Sequence, residues 1–249
     1  MKQYVEIKNG KYILRGLYEE GNVNKALVVL FHGFTGHKNE NNYMLKNMAK
    51  ELAINGYSSL RFDYMGNGDS DGDFSEMTYN TVLSDARSII NYALKINKTN
   101  KLIVGGFSMG GLVASRMSVE YCDIIDLLIL ISPAANMDLI TDRYFYHSQL
   151  KSYDEDHKDM GGYLISRALA DSFKNVDFYK DVNRFKKPVQ IIHGECDKSV
   201  PVSYSEKYLS LYPVVNRKLI ANAEHCYQSM EQRRELMDTV ISFLKINEK

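Results

Sequence analysis

Five short runs of apolar residues recur along the chain and are typical of buried β-strands. They span residues 26–32, 58–63, 102–107, 127–131 and 189–193. Because they are apolar at nearly every position, they favour parallel strands covered on both faces by helices. Near the start, residues 4–18 alternate apolar and polar positions around Asn9-Gly10, which predicts an antiparallel hairpin with a type I′ turn.

Segments with helical periodicity lie between these runs. They cover residues 42–55, which stop at Gly56, and then residues 78–94, 110–121, 203–211 and 229–245. Strands that alternate with helices predict an α/β fold with an open, doubly wound and mostly parallel sheet.

Residues 136–182, which we call the cap segment, break this alternation. The segment is far longer than a usual loop or a single crossover helix, and it is rich in aromatic and charged residues rather than in Pro or Ser. We therefore interpret it as a small cap inserted over the carboxyl ends of the strands, where ligands bind in such sheets. Residues 1–249 are expected to form one domain that carries this insertion.

Composition excludes several classes of function. Lys plus Arg (31) balances Asp plus Glu (31), so no overall field attracts nucleic acid or an anionic membrane. The three cysteines are spread without a C-x-x-C spacing, and no apolar stretch approaches the ~20 residues that span a bilayer. The amino-terminal residues lack the apolar core of a secretory signal. We expect a cytoplasmic protein that acts on a small molecule, with no metal or other cofactor.

The sequence "GFSMG" places Ser108 between Gly106 and Gly110, after a predicted strand and before a predicted helix. This is the setting of a nucleophile elbow, a sharp turn that exposes a serine hydroxyl at the start of a helix. The bare motif fits equally well a glycine-rich helix start with the serine as its N-cap. The strand before it and the helix after it favour the nucleophile.

A serine nucleophile needs a base and an acid that orients the base. In this architecture the order along the chain is Ser, then Asp or Glu, then His. Asp197 follows the last predicted strand and His225 precedes the last predicted helix, so both lie in loops at the edge where Ser108 emerges. Taken singly, an Asp is more often a turn residue and a His more often structural, but their joint placement favours catalysis. Glu195 comes earlier in its loop, and His193 lies within a buried strand.

An oxyanion forms when a serine attacks an ester and must be met by backbone N–H groups. One donor is expected from Met109, directly after the nucleophile, and the second from Phe34 in the loop after an early strand.

In the Asp-rich stretch of residues 61–72, the spacing does not match a calcium loop. We interpret it as a tight turn with Arg61 and Asp63 as an internal ion pair.

These residues together resemble the bacterial cinnamoyl (feruloyl) esterases of the α/β-hydrolase superfamily. The similarity runs through "HGFTGHKN", "RFDYMGNGDSDG", "GFSMGG", "SPAA", "KKPVQIIHGECDKSVP" and "AEHC", in the family's order. It implies the α/β-hydrolase fold, with Ser108, Asp197 and His225 as the triad and with Phe34 and Met109 as the oxyanion donors.

The resemblance also implies that the cap segment grips a hydroxycinnamoyl ring. Asp142 and Gln149 are the best matches for the acid and the glutamine that approach the ring hydroxyls, and Tyr163 is a third candidate. Several relatives have a glutamine where this chain has Met109, whereas "SMGG" is common in monoacylglycerol lipases.

We therefore expect hydrolysis of hydroxycinnamate esters through an acyl-enzyme. A monoacylglycerol lipase or a broad short-chain esterase is the alternative, and a non-catalytic ligand-binding homologue is a distant one. The family often forms dimers, so the resemblance also implies a homodimer.

Overall fold

The computed structural model describes residues 1–248, which fold around one eight-stranded sheet and a separate two-stranded hairpin. The predicted α/β-hydrolase fold is confirmed. The strands are β1 (Lys2–Asn9), β2 (Tyr12–Glu19), β3 (Leu27–Phe31), β4 (Ser58–Phe62), β5 (Leu102–Phe107), β6 (Ile125–Ile131), β7 (His157–Met160), β8 (Tyr163–Ser166), β9 (Val189–Gly194) and β10 (Val215–Ile220).

The large sheet has the strand order β1-β2-β4-β3-β5-β6-β9-β10. β1 pairs antiparallel with β2, and β2 antiparallel with β4, whereas all the other neighbours are parallel. The carboxyl ends of β3, β5, β9 and β10 therefore lie at the same edge, and the loops that follow them can meet there.

The turn between β1 and β2 differs from the predicted type I′ turn at Asn9-Gly10. Asn9 pairs with Tyr12, so Gly10 and Lys11 are the two central residues of the turn. Positive φ occurs at Gly10 (61°) and not at Lys11. That pattern belongs to a type II′ turn, in which only the first central residue needs the left-handed backbone that glycine adopts readily.

Residues 1–248 form seven α-helices. They are α1 (Met44–Ile54), α2 (Tyr79–Ile96), α3 (Met109–Glu120), α4 (Met137–Tyr146), α5 (Arg167–Phe173), α6 (Val202–Leu211) and α7 (Met230–Ile246). Within residues 1–248, none of the helices is long and apolar enough to cross a membrane.

Strand β3 divides its buried side chains between the two faces of the sheet. Val29 and Phe31 join the cluster that includes the apolar residues of α2 and α3, and Val28 and Leu30 join the cluster built with α1 and α7. Every residue of β3 is therefore buried, as the unbroken apolar run predicts.

The cap segment leaves the main sheet after β6. It contains α4, the antiparallel hairpin β7–β8 and α5, and the chain then enters β9. α4, the hairpin and α5 were not predicted as separate elements, and neither was the edge strand β10. These elements are partly exposed and lack the continuous apolar run or regular period that marks the central strands.

Candidate active site

Ser108 stands at a strained turn between β5 and α3. Its backbone has φ 55° and ψ −121°, which is a rare conformation for a residue with a side chain. The flanking glycines allow the close approach that this turn requires. A Cβ at Gly106 would lie 2.1 Å from the carbonyl oxygen of Gly110, and a Cβ at Gly110 would lie 2.2 Å from the carbonyl oxygen of Phe31.

Backbone hydrogen bonds hold Ser108 against the end of β6 and the segment that follows it. The Ser108 N–H donates to the carbonyl oxygen of Ile131 at 2.9 Å, and the Ser108 carbonyl accepts from Ala134 N–H at 3.0 Å. The strained residue is thus fixed on both sides of its Cα, and strain of this kind persists only where the surroundings impose it.

The structure brings Ser108, His225 and Asp197 into one chain of hydrogen bonds. Ser108 Oγ lies 2.9 Å from His225 Nε2, and His225 Nδ1 lies 2.7 Å from Asp197 Oδ2. This arrangement requires Nδ1 to carry the ring proton, which leaves Nε2 free to accept the serine proton. Ser108 and His225 are 117 residues apart in sequence, and their loops meet because β5 and β10 end at the same edge.

Asp197 lies in a pocket of hydrogen-bond donors. Its Oδ1 accepts from the N–H groups of Ser199 (3.0 Å) and Val200 (2.8 Å), and its Oδ2 lies 3.3 Å from His193 Nε2 as well as against His225. Burial alone would raise the pKa of Asp197, but the hydrogen bonds from the two histidines and from Val200 outweigh it and lower the pKa well below its usual range. The carboxylate is therefore ionised at any pH at which the protein would work.

The predicted oxyanion donors lie on the two loops that adjoin Ser108. Met109 is the first residue of α3, and Phe34 follows the carboxyl end of β3. A Cβ at Gly33 would lie 3.3 Å from Ser108 Cβ, so the loop of Phe34 passes close to the serine. Within residues 1–248, neither the Phe34 N–H nor the Met109 N–H donates to another group. Both N–H groups are thus available to a ligand.

A buried glutamate supports the loop that contains Phe34, and the sequence alone gave no reason to select it. Glu40 is 3% exposed, and its carboxylate accepts from the N–H groups of Gly33 (2.7 Å) and Asn41 (3.2 Å). The same loop contains four residues other than glycine at positive φ: Thr35, Glu40, Asn42 and Tyr43. The carboxylate satisfies the buried N–H of Gly33 and the less buried N–H of Asn41 in a loop whose backbone is strained.

His32 anchors the start of this loop, as expected for a structural histidine. Its Nδ1 donates to the carbonyl oxygen of Gly33 at 2.8 Å, and its Nε2 accepts from Tyr64 N–H at 3.2 Å. Both bonds are made by the neutral ring, and burial lowers the pKa of His32.

The predicted ion pair between Arg61 and Asp63 is wrong. Lys38 binds Asp63 instead, through its backbone N–H and through Nζ at 2.5 Å each, and Nζ also contacts Asp69. The Arg61 guanidinium donates to the Lys38 carbonyl (3.0 Å) and to Asn39 Oδ1 (2.7 Å). The buried Asp63 accepts these two bonds from Lys38 and a third from the Asp69 N–H at 2.9 Å, so the Asp-rich turn is tied to the loop of Phe34.

Aromatic rings connect this loop to the cap segment. The Phe34 ring lies 5.5 Å from that of Phe74, and the Phe74 ring lies 4.8 Å from that of Tyr163 at the start of β8. The Tyr163 hydroxyl donates to the carbonyl oxygen of Thr35 at 3.3 Å. Tyr163 thus lies beside the predicted site, and Phe74 is an aromatic neighbour that sequence reasoning missed.

The other two cap candidates are not joined to Ser108. Asp142 lies on α4, and its Oδ2 lies 3.0 Å from His147 Nε2. Gln149 is exposed, two residues beyond this pair. Within residues 1–248, no hydrogen bond or ion pair links either side chain to Ser108, His225 or Asp197. No group of three or more His, Cys, Asp or Glu side chains in the described residues could hold a metal ion.

Comparison with known proteins places this geometry in a family. A family model described as serine aminopeptidase S33 (Hydrolase_4) matches residues 22–145. A structure of Est1E from Butyrivibrio proteoclasticus with ferulic acid bound superposes with a TM-score of 0.87 at 26% identity, over 97% of this chain and 98% of that chain. The chain belongs to the α/β-hydrolase superfamily.

Curated relatives match a smaller share of this chain. Human protein ABHD12B is 29% identical over 189 residues, which are 73% of this chain and 48% of that protein. The lysophosphatidylserine lipase ABHD12 of Danio rerio is 29% identical over 202 residues, which are 78% of this chain and 49% of that protein. This α/β-hydrolase therefore spans about half the length of these relatives.

Proposed function

We propose that the protein hydrolyses carboxylic esters through a covalent acyl-enzyme. The observation that carries the proposal is the continuous hydrogen-bonded chain from Ser108 through His225 to the ionised Asp197 at a strained elbow. A hydroxyl needs such a chain to act as a nucleophile near neutral pH.

In the proposed reaction, Ser108 Oγ attacks the ester carbonyl while His225 Nε2 takes the hydroxyl proton. The imidazolium is stabilised by Asp197 and then gives that proton to the departing alcohol. Water attacks the acyl-enzyme with His225 again as base, and this step releases the acid and restores Ser108.

We assign the oxyanion hole to the N–H groups of Phe34 and Met109. Both lie beside Ser108 and neither has an acceptor within the described residues. Donors that already point toward the developing negative charge stabilise the transition state more than donors that must reorient, because they were ordered when the protein folded. The buried carboxylate of Glu40 keeps Gly33, directly before Phe34, in place.

For the substrate, we propose a hydroxycinnamate ester of the feruloyl type. The proposal is supported by similarity over nearly the whole chain to Est1E, whose structure contains ferulic acid, and by the adjacent rings of Phe34, Phe74 and Tyr163. We propose that the cap segment closes the site within a single domain, and that Asp142 and Gln149 approach the ring hydroxyls.

A lipase acting on a monoacylglycerol or a lysophospholipid is the second candidate. The names of curated relatives favour it, since they include a lysophosphatidylserine lipase and a monoacylglycerol lipase of Xenopus laevis that is 27% identical over 190 residues. The two candidates share the chemistry and differ in whether the acyl pocket prefers a flat ring or a flexible chain.

The first experiment tests the chemistry. Wild type and Ser108→Ala are treated with a fluorophosphonate probe, and the labelled residue is located by mass spectrometry. Labelling of Ser108 at neutral pH, absent in the variant, supports the serine hydrolase. A wild type that folds but is not labelled would instead favour a non-catalytic ligand-binding protein.

The second experiment tests the substrate by comparing kcat/KM for methyl ferulate with that for a medium-chain monoacylglycerol. A preference for the ferulate supports the proposed aromatic pocket. A preference for the glyceride would retain the serine chemistry and replace the feruloyl assignment with the lipase.

A further inference from the structure

Two strained residues beneath the candidate active site are joined by a buried hydrogen bond. Tyr227, two residues after His225, has φ 47°, and Ser132, directly after β6, has φ 42°. Both are fully buried, and the Tyr227 hydroxyl lies 2.8 Å from Ser132 Oγ. Positive φ is uncommon for residues other than glycine, and residues in this strained conformation are found more often at functional sites.

The partners of this hydrogen bond explain why its position matters. The Tyr227 hydroxyl also donates to the carbonyl oxygen of Ile192 in β9 at 3.3 Å, so Ser132 Oγ is left to donate to the phenol oxygen. The phenol therefore connects the His225 loop to the ends of two sheet strands. His193, which contacts Asp197, comes directly after Ile192.

Ser132 belongs to the segment that holds the nucleophile. Ile131, its predecessor, accepts the N–H of Ser108, and Ala134, two residues on, donates to the carbonyl of Ser108. The bond between Tyr227 and Ser132 thus links the backbone support of Ser108 directly to the loop of His225. This side-chain hydrogen bond therefore connects the segments that hold Ser108 and His225, whose Oγ and Nε2 atoms lie 2.9 Å apart and would exchange the proton.

We propose that Tyr227 and Ser132 are a positioning pair that sets the distance between Ser108 Oγ and His225 Nε2. Neither touches substrate, and each acts through the backbone of a residue that does. The inference rests on the proposed esterase function, because it assigns to the pair a role in that reaction. Misplacement of reacting groups by about 1 Å can cost about 100-fold in rate, so a smaller displacement should still be measurable.

The chain offers a matched control for a buried tyrosine bonded to a serine. Tyr212 is also buried, and its hydroxyl lies 2.8 Å from Ser115 Oγ. Tyr212→Phe and Tyr227→Phe each remove one buried hydroxyl from such a pair, so both should lower the melting temperature by similar amounts. Only the pair beneath His225 should change the reaction.

The test measures kcat and KM for a p-nitrophenyl ester in Tyr227→Phe, Ser132→Ala, the double variant and Tyr212→Phe, well below all their melting temperatures. We expect about a tenfold loss of kcat in both Tyr227→Phe and Ser132→Ala with little change in KM. The double variant should be no slower than the slower single variant, because the same bond is removed. Tyr212→Phe should retain the wild-type kcat.

The inference is overturned if Tyr227→Phe and Ser132→Ala keep the wild-type kcat, if their effects multiply in the double variant, or if Tyr212→Phe loses as much. Should Tyr227→Phe fail to fold, Ser132→Ala decides alone, since it leaves the phenol and its bond to Ile192 intact. A wild type without esterase activity or fluorophosphonate labelling would refute the proposed function, which is a separate outcome from an active wild type with unaffected variants.

Discussion

Replacement of Asp197 by asparagine changes one atom of the proposed triad and has a consequence that follows from its hydrogen bonds. In the wild type, Oδ1 accepts two backbone N–H groups, at 3.0 and 2.8 Å, and Oδ2 accepts Nδ1–H of His225 at 2.7 Å. Asparagine has one oxygen and one NH2 group, so it can satisfy only one of these two sides.

We expect the asparagine oxygen to face the backbone N–H groups. If the NH2 group faced the N–H groups of Ser199 and Val200, those buried donors would lose their acceptor, at a cost of about 1–3 kcal/mol each. With the oxygen kept there, the NH2 group faces His225 and requires Nδ1 to accept a hydrogen bond. It also faces His193 Nε2, whose N–H retains the Val200 carbonyl oxygen at 2.8 Å as its acceptor. The His225 ring then holds its proton on Nε2 and can no longer take the proton of Ser108.

Asp197→Asn should therefore fold but react slowly. We expect a loss of about 10,000-fold in kcat, as in other hydrolases in which the wrong tautomer is imposed, which equals about 5.5 kcal/mol of activation free energy. The assay is steady-state hydrolysis of a p-nitrophenyl ester together with the rate of fluorophosphonate labelling. Asp171→Asn, at an exposed carboxylate bonded to Lys174, is the control and should keep wild-type rates.

A loss of less than about tenfold in folded Asp197→Asn would refute the tautomer argument, because the proton would then reach Nε2 without the carboxylate. A variant that melts far below the control would not be informative on this point by its rate alone. In that case, the rate of labelling at low temperature, compared with that of the control, decides the question.

Three further predictions test the fold, its pH dependence and the cap segment. Burial raises the pKa of Asp85 from 3.8 to about 6, so folding favours the protonated carboxyl, and this contribution to stability is full below pH 4 and lost as the pH rises through 6. Urea titrations should show the free energy of unfolding of the wild type falling by up to about 3 kcal/mol over that range relative to Asp85→Asn. Gly110→Ala places a Cβ 2.2 Å from the carbonyl oxygen of Phe31 and should cost at least about 1–3 kcal/mol of stability and abolish fluorophosphonate labelling. Tyr163→Ala removes a ring that contacts Phe74 and should raise KM for methyl ferulate about three- to tenfold while leaving that for a short-chain ester nearly unchanged.

The central strands could be predicted because burial on both faces leaves little freedom in their composition. The predicted strand of residues 102–107 coincides with β5, and all of its residues are buried. The edge strand β10 escaped prediction for the opposite reason. Of its polar residues, Asn216 is exposed and Arg217 and Lys218 are partly exposed, and the strand is defined by its backbone pairing with β9 rather than by an apolar run.

Ser108 and Asp197 could be selected from sequence because each follows a predicted strand that ends at one edge of a parallel sheet. His225 was selected although its strand, β10, was not predicted, because it lies in the loop before the last predicted helix and completes the chain order Ser, Asp, His. Their roles in catalysis stay a prediction until activity is measured.

The residues that support the site could not be selected in the same way, because their identity depends on contacts between distant segments. Glu40 matters only because its carboxylate folds back onto Gly33, and Lys38 because it meets Asp63, whereas the sequence suggested Arg61 as the partner. In each case a buried polar group had to find a partner, and several partners of the right charge were available in sequence.

Tyr227 is the supporting residue that is hardest to select from sequence, because nothing in its sequence context distinguishes it from a core tyrosine. Tyr212 is also buried, and its hydroxyl also lies 2.8 Å from a serine Oγ, so burial and hydroxyl contact alone would select both tyrosines. What separates them is the positive φ of Tyr227 and the position of its serine between the two backbone supports of Ser108. Strain and connectivity, rather than residue type, therefore mark a positioning role in this fold.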